Sequence, residues 1–184
     1  QKQITYAVAG DRTAAHRKGC EFVRRSTGAK TRTADIVITG NGGYPLDQNI
    51  YQSVKGMTAA EATCKEGGVI IDVSSCSDGH GGEDFYNNLK NAESIQKAMD
   101  EILARGRNET VFDQWEAQIL MRMLLKFTII MVTEAPQQMV EDMHMKYAAS
   151  IDDALAMAKD VLAKKGITDP KITVIPDGVS VIVK

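Results

Sequence analysis

The chain has 184 residues, of which 43% are hydrophobic, and its formal net charge is −2. This length suits one well-packed domain and is short for two. The near-neutral charge argues against non-specific nucleic-acid binding and against an anionic membrane surface as partner. No run approaches the roughly 20 apolar residues that span a bilayer, so we expect no membrane segment.

The cysteines form an odd and widely spaced set, at Cys20, Cys64 and Cys76. Such a set indicates reduced thiols, which are typical of a cytoplasmic protein. No signal peptide is recognisable. The chain begins with Gln1 and not with methionine, and we interpret it as a fragment of a longer polypeptide.

The hydrophobic pattern predicts strands and helices in alternation. The first half holds predicted strands at 4–10, 34–40 and 67–75, and predicted helices at 11–25, within 41–57, and after a capping box at 58–61. The second half holds predicted helices at 94–105, 110–127 and 150–166, a strand at 127–134, and a hairpin over 171–184 that turns at Pro176, Asp177 and Gly178. This order predicts a single α/β layered domain over 1–184, with a mainly parallel sheet flanked by helices and a C-terminal β-hairpin.

Two glycine-rich loops leave the carboxyl ends of predicted parallel strands, where ligands of such sheets bind. They are TGNGGYP after the second strand and SSCSDGHGGED after the third. The helix predicted after the first loop has Pro45 and Asp47 in its first turn, which suits a fixed φ and a negative charge at the positive end of the helix dipole.

That helix has two distinct faces, because residues three and four apart lie on the same side. One is an apolar stripe that we expect to pack inward: Ile50, Val54 and Met57. The other is polar and aromatic: Gln48, Tyr51, Gln52 and Lys55. The pattern alone favours a solvent-exposed surface for this second face. The alternative is a site for a small anion, with Lys55 neutralising a carboxylate and Gln52 hydrogen-bonding to it.

Three other features have simple structural interpretations. The loops GNGG and GHGG match neither a dinucleotide-binding motif nor a P-loop, and tight turns are the favoured interpretation. His80 lies among loop carboxylates, but one histidine does not establish a metal site, so we expect no metal ligands here. Trp115, the only tryptophan, lies on an apolar helix, which favours a core position over the aromatic wall of a cleft.

Residues 34–86 closely resemble the C-terminal domain of the nickel-dependent lactate racemase family, which includes racemases and epimerases of other 2-hydroxyacids. The strings GGYPLDQNIYQ, KGM and CSDGHG carry the resemblance. It implies a two-domain enzyme with its active site in the cleft between the domains. It also implies a nickel pincer nucleotide cofactor, tethered to a lysine of an N-terminal domain that supplies the nickel ligand and the proton-transfer histidines.

The resemblance further implies what this chain contributes. By motif position, its substrate-binding residues correspond to Tyr51, Gln52, Lys55 and Trp115, and no catalytic residue, metal ligand or cofactor is expected within the chain. The implied partners are its own N-terminal domain and a small 2-hydroxyacid, and no oligomeric state follows. The implied reaction transfers hydride from the α-carbon of the substrate to the cofactor and returns it to the opposite face of a planar keto acid.

Two other functions stay open at this point. The first is a non-catalytic α/β module that binds a phosphate or nucleotide through its glycine loops and helix N-termini. The second is a member of the same family that uses the scaffold on a different substrate or has lost its activity.

Overall fold

Residues 3–184, which the computed structural model describes, form seven helices and seven strands. The strands are β1 (Gly28–Ala29), β2 (Ala34–Gly40), β3 (Cys64–Val73), β4 (Thr128–Val132), β5 (Lys146–Ala148), β6 (Ile172–Ile175) and β7 (Ile182–Val183). The helices are α1 (Arg12–Ser26), α2 (Ile50–Glu61), α3 (Glu83–Lys90), α4 (Ile95–Ala104), α5 (Gln114–Leu124), α6 (Gln137–Asp142) and α7 (Ile151–Ala163). No helix in this part of the chain is long and apolar enough to cross a membrane.

Five strands form one sheet in the order β5-β4-β3-β2-β6, and every neighbouring pair is parallel. Alternate residues of the central strands face opposite cores, as the two-residue period of a strand requires. Val37 and Ile70 face a core that includes α2, α3 and α5, whereas Ile36 and Ile71 face α7. The prediction of an α/β fold with a parallel sheet flanked by helices is therefore confirmed.

The predicted C-terminal hairpin is wrong, because β6 and β7 pair with different strands. β6 lies parallel to β2, and β7 lies parallel to β1 in a separate two-stranded sheet. The turn between them holds Asp177, whose Oδ1 accepts from the N–H groups of Val179 and Ser180, both at 3.1 Å. Gly178 N–H donates to Gly40 O at 2.9 Å, which ties this turn to the end of β2. The hydrophobic pattern of 171–184 is compatible with a hairpin and with two separate pairings. The free edge of β2 therefore decided which strand β6 pairs with.

Two further predictions are wrong. Residues 4–10 form no strand and pair with none of the described strands, and Ile4 is 90% exposed. The capping box at 58–61 does not begin a helix, because these residues are the last turn of α2. The Thr58 hydroxyl donates to Lys55 O at 2.7 Å, within the helix, and does not cap a new one.

Other helix starts agree with the capping residues of the sequence. Asp11 Oδ1 accepts from the N–H groups of Thr13 and Ala14 at the start of α1. Ser150 Oγ accepts from the N–H of Asp153 at the start of α7. The short elements β1, α3, α6 and β5 were not predicted, because they hold too few residues for a clear hydrophobic period. All three cysteines are free: Cys20 is exposed, and Cys64 and Cys76 are buried.

Candidate functional site

Helix α2 begins at the carboxyl edge of the sheet, in a position set by both glycine-rich loops. Its N-cap is Asn49, whose side chain accepts from Gln52 N–H at 3.0 Å. The next backbone donors, Ile50 N–H and Tyr51 N–H, reach Gly79 O at 3.0 Å and His80 O at 3.1 Å. The first turn of α2 is thus capped by the loop that follows β3, and its backbone donors are already used.

This start corrects the predicted helix boundary. Pro45 and Asp47 lie in a turn before α2, and Gln48 also precedes the helix, so it does not belong to the polar face. Asp47 is buried instead, and its Oδ2 accepts from Ser75 N–H at 3.1 Å. Its carboxylate therefore joins the two loops.

The glycines of the two loops allow the backbones to approach each other. Cys76 N–H donates to Asp47 O, and Asp78 N–H donates to Gln48 O, both at 2.8 Å. Gly81 has φ +86°, and a Cβ there would lie 2.4 Å from Asn49 Cγ. This crowding supports the interpretation of the glycines as tight turns.

The polar face of α2 holds a compact group of three side chains. Lys55 is exposed, and its Nζ donates to Gln52 Oε1 at 2.5 Å. The same Nζ lies 5.8 Å from the centroid of the half-buried Tyr51 ring, within the range of a cation–π contact. The apolar stripe of Ile50, Val54 and Met57 is fully buried on the opposite side, as the sequence predicts.

Trp115 lies beside this group and not in the core, so its predicted core position is wrong. The side chain is 54% exposed, and its ring meets the Tyr51 ring edge-on at 6.0 Å between centroids. Tyr51 in turn packs edge-on against the buried Phe85 ring at 5.3 Å. α5 directs Glu116, Ala117 and other buried residues inward, and its helical period leaves Trp115 at the surface. The structure therefore brings Tyr51, Gln52, Lys55 and Trp115 together.

Sequence reasoning missed an acidic component of this site. Glu116 is only 1% exposed, and neither of its carboxylate oxygens has a hydrogen-bond partner among the described residues. Burial raises the pKa of Glu116 to about 7; Asp113 adds to the rise, and Lys55 opposes it. The pKa of Tyr51 is also raised, by burial first and then by Asp113 and Glu116. A signal was present in QWEAQILMRML, where Glu116 shares the buried side of the helix with Leu120.

A second buried acid lies on the other side of α2. Asp72, at the end of β3, is fully buried, and neither oxygen has a partner in the described part of the chain. Burial raises its pKa to about 7, Ser74 opposes the rise, and Asp47 adds to it. Burial raises the pKa of Cys76 to about 11, and Asp72 and Asp47 add smaller contributions. The Cys76 Sγ lies 3.3 Å from Ser53 Oγ of α2. No cation among the described residues contributes to the pKa of Asp72.

The contacts of His80 hold its loop against the start of α3. Its ring stacks on Tyr86 at 4.7 Å, and its Nδ1 accepts from Gly82 N–H at 3.1 Å, at the start of α3. Within residues 3–184, no three His, Cys, Asp or Glu side chains are grouped so that they could hold a metal ion. The described residues therefore offer no cluster of three or four side chains that could hold a metal through protein ligands alone.

A parallel α/β sheet with a cationic and aromatic helix face at its carboxyl edge is typical of domains that bind small ligands there. Comparison of the sequence with known families then identifies the particular family. A sequence model described as the lactate racemase C-terminal domain matches residues 29–183, and the chain belongs to this family.

Relatives support the assignment along the whole chain. Lactate racemase from Thermoanaerobacterium thermosaccharolyticum is 55% identical over 183 residues, which are 99% of this chain and 42% of that protein. Lactate racemase from Lactiplantibacillus plantarum is 47% identical over 184 residues, or 100% of this chain and 42% of that protein. The chain therefore spans 42% of the length of these curated relatives.

Solved structures agree with the fold. The lactate racemase apoprotein from T. thermosaccharolyticum superposes with a TM-score of 0.87 at 56% identity, covering 92% of this chain and 40% of that one. A Thermotoga maritima protein has the same fold, with a TM-score of 0.55 at 14% identity, covering 94% of this chain and 42% of that one.

Proposed function

We propose that this chain is the cleft-closing, substrate-contacting half of a lactate or 2-hydroxyacid racemase, an isomerase whose active site lies between two domains. The support is the group formed by Tyr51, Gln52, Lys55 and Trp115, in a chain 55% identical to a lactate racemase. In this proposal the N-terminal domain is the partner of the chain and holds a nickel pincer nucleotide, which supplies the hydride chemistry when bound. The role of the residues described here is to bind and orient the substrate.

The polar face of α2 matches the chemistry of a hydroxyacid carboxylate. Lys55 supplies a positive charge, and its bond to Gln52 uses the amide oxygen Oε1 and not the amide N–H groups. An ammonium and an amide N–H group, side by side, can donate to the two oxygens of one carboxylate. Both side chains project from a regular helix, which holds them more rigidly than a loop would.

The aromatic pair gives this face a wall. The Tyr51 ring lies beside the Lys55 ammonium, and the Trp115 ring meets Tyr51 edge-on. Rings in this position exclude water from one side of a bound acid, which strengthens its bond to Lys55. The exposed half of Trp115 remains free to contact a substrate or the facing domain.

A phosphate- or nucleotide-binding module is less well supported by the same contacts. Its donors would be the backbone N–H groups at the start of α2. Those of Ile50, Tyr51 and Gln52 already donate to Gly79 O, His80 O and the Asn49 side chain. The glycine loops likewise pack on each other and on Asn49, which leaves no comparable cradle at this point.

The decisive experiment is Lys55→Ala in the full-length, cofactor-loaded racemase. The charge-assisted bond to a partly shielded carboxylate is worth about 1.5–3 kcal/mol, so kcat/KM should fall by roughly one to two powers of ten. The melting temperature should change little, because Lys55 is exposed and packs into no core. Lys97→Ala is the matched control, since Lys97 is an exposed lysine on α4 that pairs with Glu93. If Lys55→Ala keeps kcat/KM within about twofold of the parent, about 0.4 kcal/mol, the carboxylate role is wrong.

A further inference from the structure

Glu116 lies at the substrate-binding face but has no role in the function proposed above. It occupies the first turn of α5, directly after Trp115, and its side chain is 1% exposed. Neither oxygen accepts a hydrogen bond from any group within residues 3–184. An ionised carboxylate in such a position is strongly unfavourable, so the group must be protonated or balanced by a nearby cation.

Glu116 has a cation near it, and its pKa is raised toward neutrality. From α2, the Lys55 ammonium acts as the opposing charge, and the Tyr51 hydroxyl is the second titratable group that interacts with Glu116. From the turn before α5, Asp113 adds a like charge. In the described structure, α3, α4 and β4 also pack on α5, but their charged groups add nothing to this balance. Burial outweighs Lys55 and raises the pKa of Glu116 to about 7, so a small change nearby alters its protonation.

We propose that Glu116 positions Lys55 in the empty site and takes up a proton when a substrate carboxylate binds to Lys55. The inference rests on the proposed role of the α2 face. In the empty site, ionised Glu116 attracts the Lys55 ammonium toward the helix face. A bound carboxylate would place a second anion on the same cation, and like charges that share a site raise each other's affinity for protons. Once Glu116 is protonated, the Lys55 ammonium faces a single negative charge, that of the substrate carboxylate.

This coupling makes substrate affinity depend on pH in a defined direction. Well below pH 7, Glu116 is already largely neutral and the carboxylate binds without an added proton. Above that pH, each binding event must also supply a proton to Glu116, so binding weakens as pH rises. If binding moves the pKa by about one unit, the apparent dissociation constant rises about fivefold between about pH 6 and 8.

The test is the pH profile of KM for lactate in the full-length, cofactor-loaded enzyme. We expect KM of the wild type to rise about fivefold between about pH 6 and 8. Glu116→Gln should remove most of this rise and keep KM near the low-pH value, because the amide is neutral throughout. Glu101→Gln, at an exposed acid on α4, should keep the wild-type profile. A Glu116→Gln profile that parallels the wild type overturns the inference.

A direct titration decides the matter if Glu116→Gln does not fold. In the wild-type apoprotein, the carboxyl carbon of Glu116, assigned through its backbone, should titrate near pH 7 by NMR and shift upward when lactate is added. A midpoint near the ordinary 4.5, unchanged by lactate, overturns the inference. The two proposals fail separately. Activity retained by Lys55→Ala contradicts the carboxylate site itself, whereas activity lost in Lys55→Ala with an unchanged Glu116→Gln profile contradicts only the role of Glu116.

Discussion

The two sides of helix α2 meet very different surroundings. The inner side holds the fully buried Ile50, Val54 and Met57, which pack against the sheet. The outer side holds Tyr51, Gln52 and the exposed Lys55, which contact one another. The inner side therefore determines where the helix lies, and the outer side is free to carry polar groups that packing does not require.

A buried acid lies near each side, and the difference between them is instructive. Asp72, on the inner side, has the like charge of Asp47 beside it, whereas Glu116, on the outer side, has the opposite charge of Lys55. A buried acid that faces a second acid affects mainly stability. A buried acid that interacts with an exposed lysine can respond to a ligand. We expect changes on the inner side to alter unfolding and changes on the outer side to alter kinetics.

The largest effect should come from Ile50→Ala, on the inner side. Removing a fully buried isoleucine side chain leaves a cavity and should lower the free energy of unfolding by about 2–5 kcal/mol. Urea denaturation of the 184-residue chain measures this loss. Ile4→Ala is the control, because Ile4 is 90% exposed and its loss should change stability by less than about 0.5 kcal/mol. A loss below about 1 kcal/mol for Ile50→Ala would remove the distinction between the two sides.

Asp72→Asn tests the inner side of α2 through the pH dependence of the free energy of unfolding. The pKa of Asp72 is 3.8 in the unfolded chain and is raised to about 7 in the folded protein. Asp72 therefore contributes most to stability below about pH 3.8, and this contribution is lost as pH rises through about 7. Between about pH 5 and 8 the wild type should lose about 2–3 kcal/mol from this group, and Asp72→Asn should lose correspondingly less. Urea midpoints at the two pH values measure the difference. Parallel pH dependence in both proteins would show that Asp72 is not the group responsible.

Lys55→Arg tests whether the outer side needs a charge or a particular geometry. The guanidinium keeps the charge, but its longer planar fork would displace the substrate carboxylate. In the full-length enzyme we expect kcat/KM to fall up to about tenfold, or about 1.4 kcal/mol, with an unchanged melting temperature. Wild-type activity would mean that charge alone suffices. A loss as deep as that of Lys55→Ala would mean that Arg recovers nothing.

The smallest effect should come from Asn49→Ala, at the N-cap of α2, where both sides of the helix begin. The variant loses the acceptor for Gln52 N–H and should cost about 1 kcal/mol of stability. Asn49→Asp keeps an acceptor oxygen and should lose less. Thermal unfolding of both variants gives the comparison. Equal melting temperatures for Asn49→Ala and the wild type would show that the loop carbonyls alone begin the helix.

The sequence by itself determined the local features of this protein. The apolar runs predicted β2 and β3, and the alternation of strands and helices predicted the parallel sheet. The helices predicted at 11–25 and 150–166 correspond to α1 and α7, which Asp11 and Ser150 cap. The three-and-four spacing predicted the buried stripe of α2, and the motif strings led to the group that contains Lys55. These features depend on residues close together in the chain, whose propensities and capping bonds act over a few positions.

Only the tertiary structure decided which distant residues meet. The carbonyls of Gly79 and His80 placed the start of α2, and the open edge of β2 took β6 in place of a hairpin. Packing of α5 against α2 left Trp115 at the surface and buried Glu116 near Lys55. Strand partners, burial and the charge beside a carboxyl group are set by residues far apart in the chain, so no local pattern contains them.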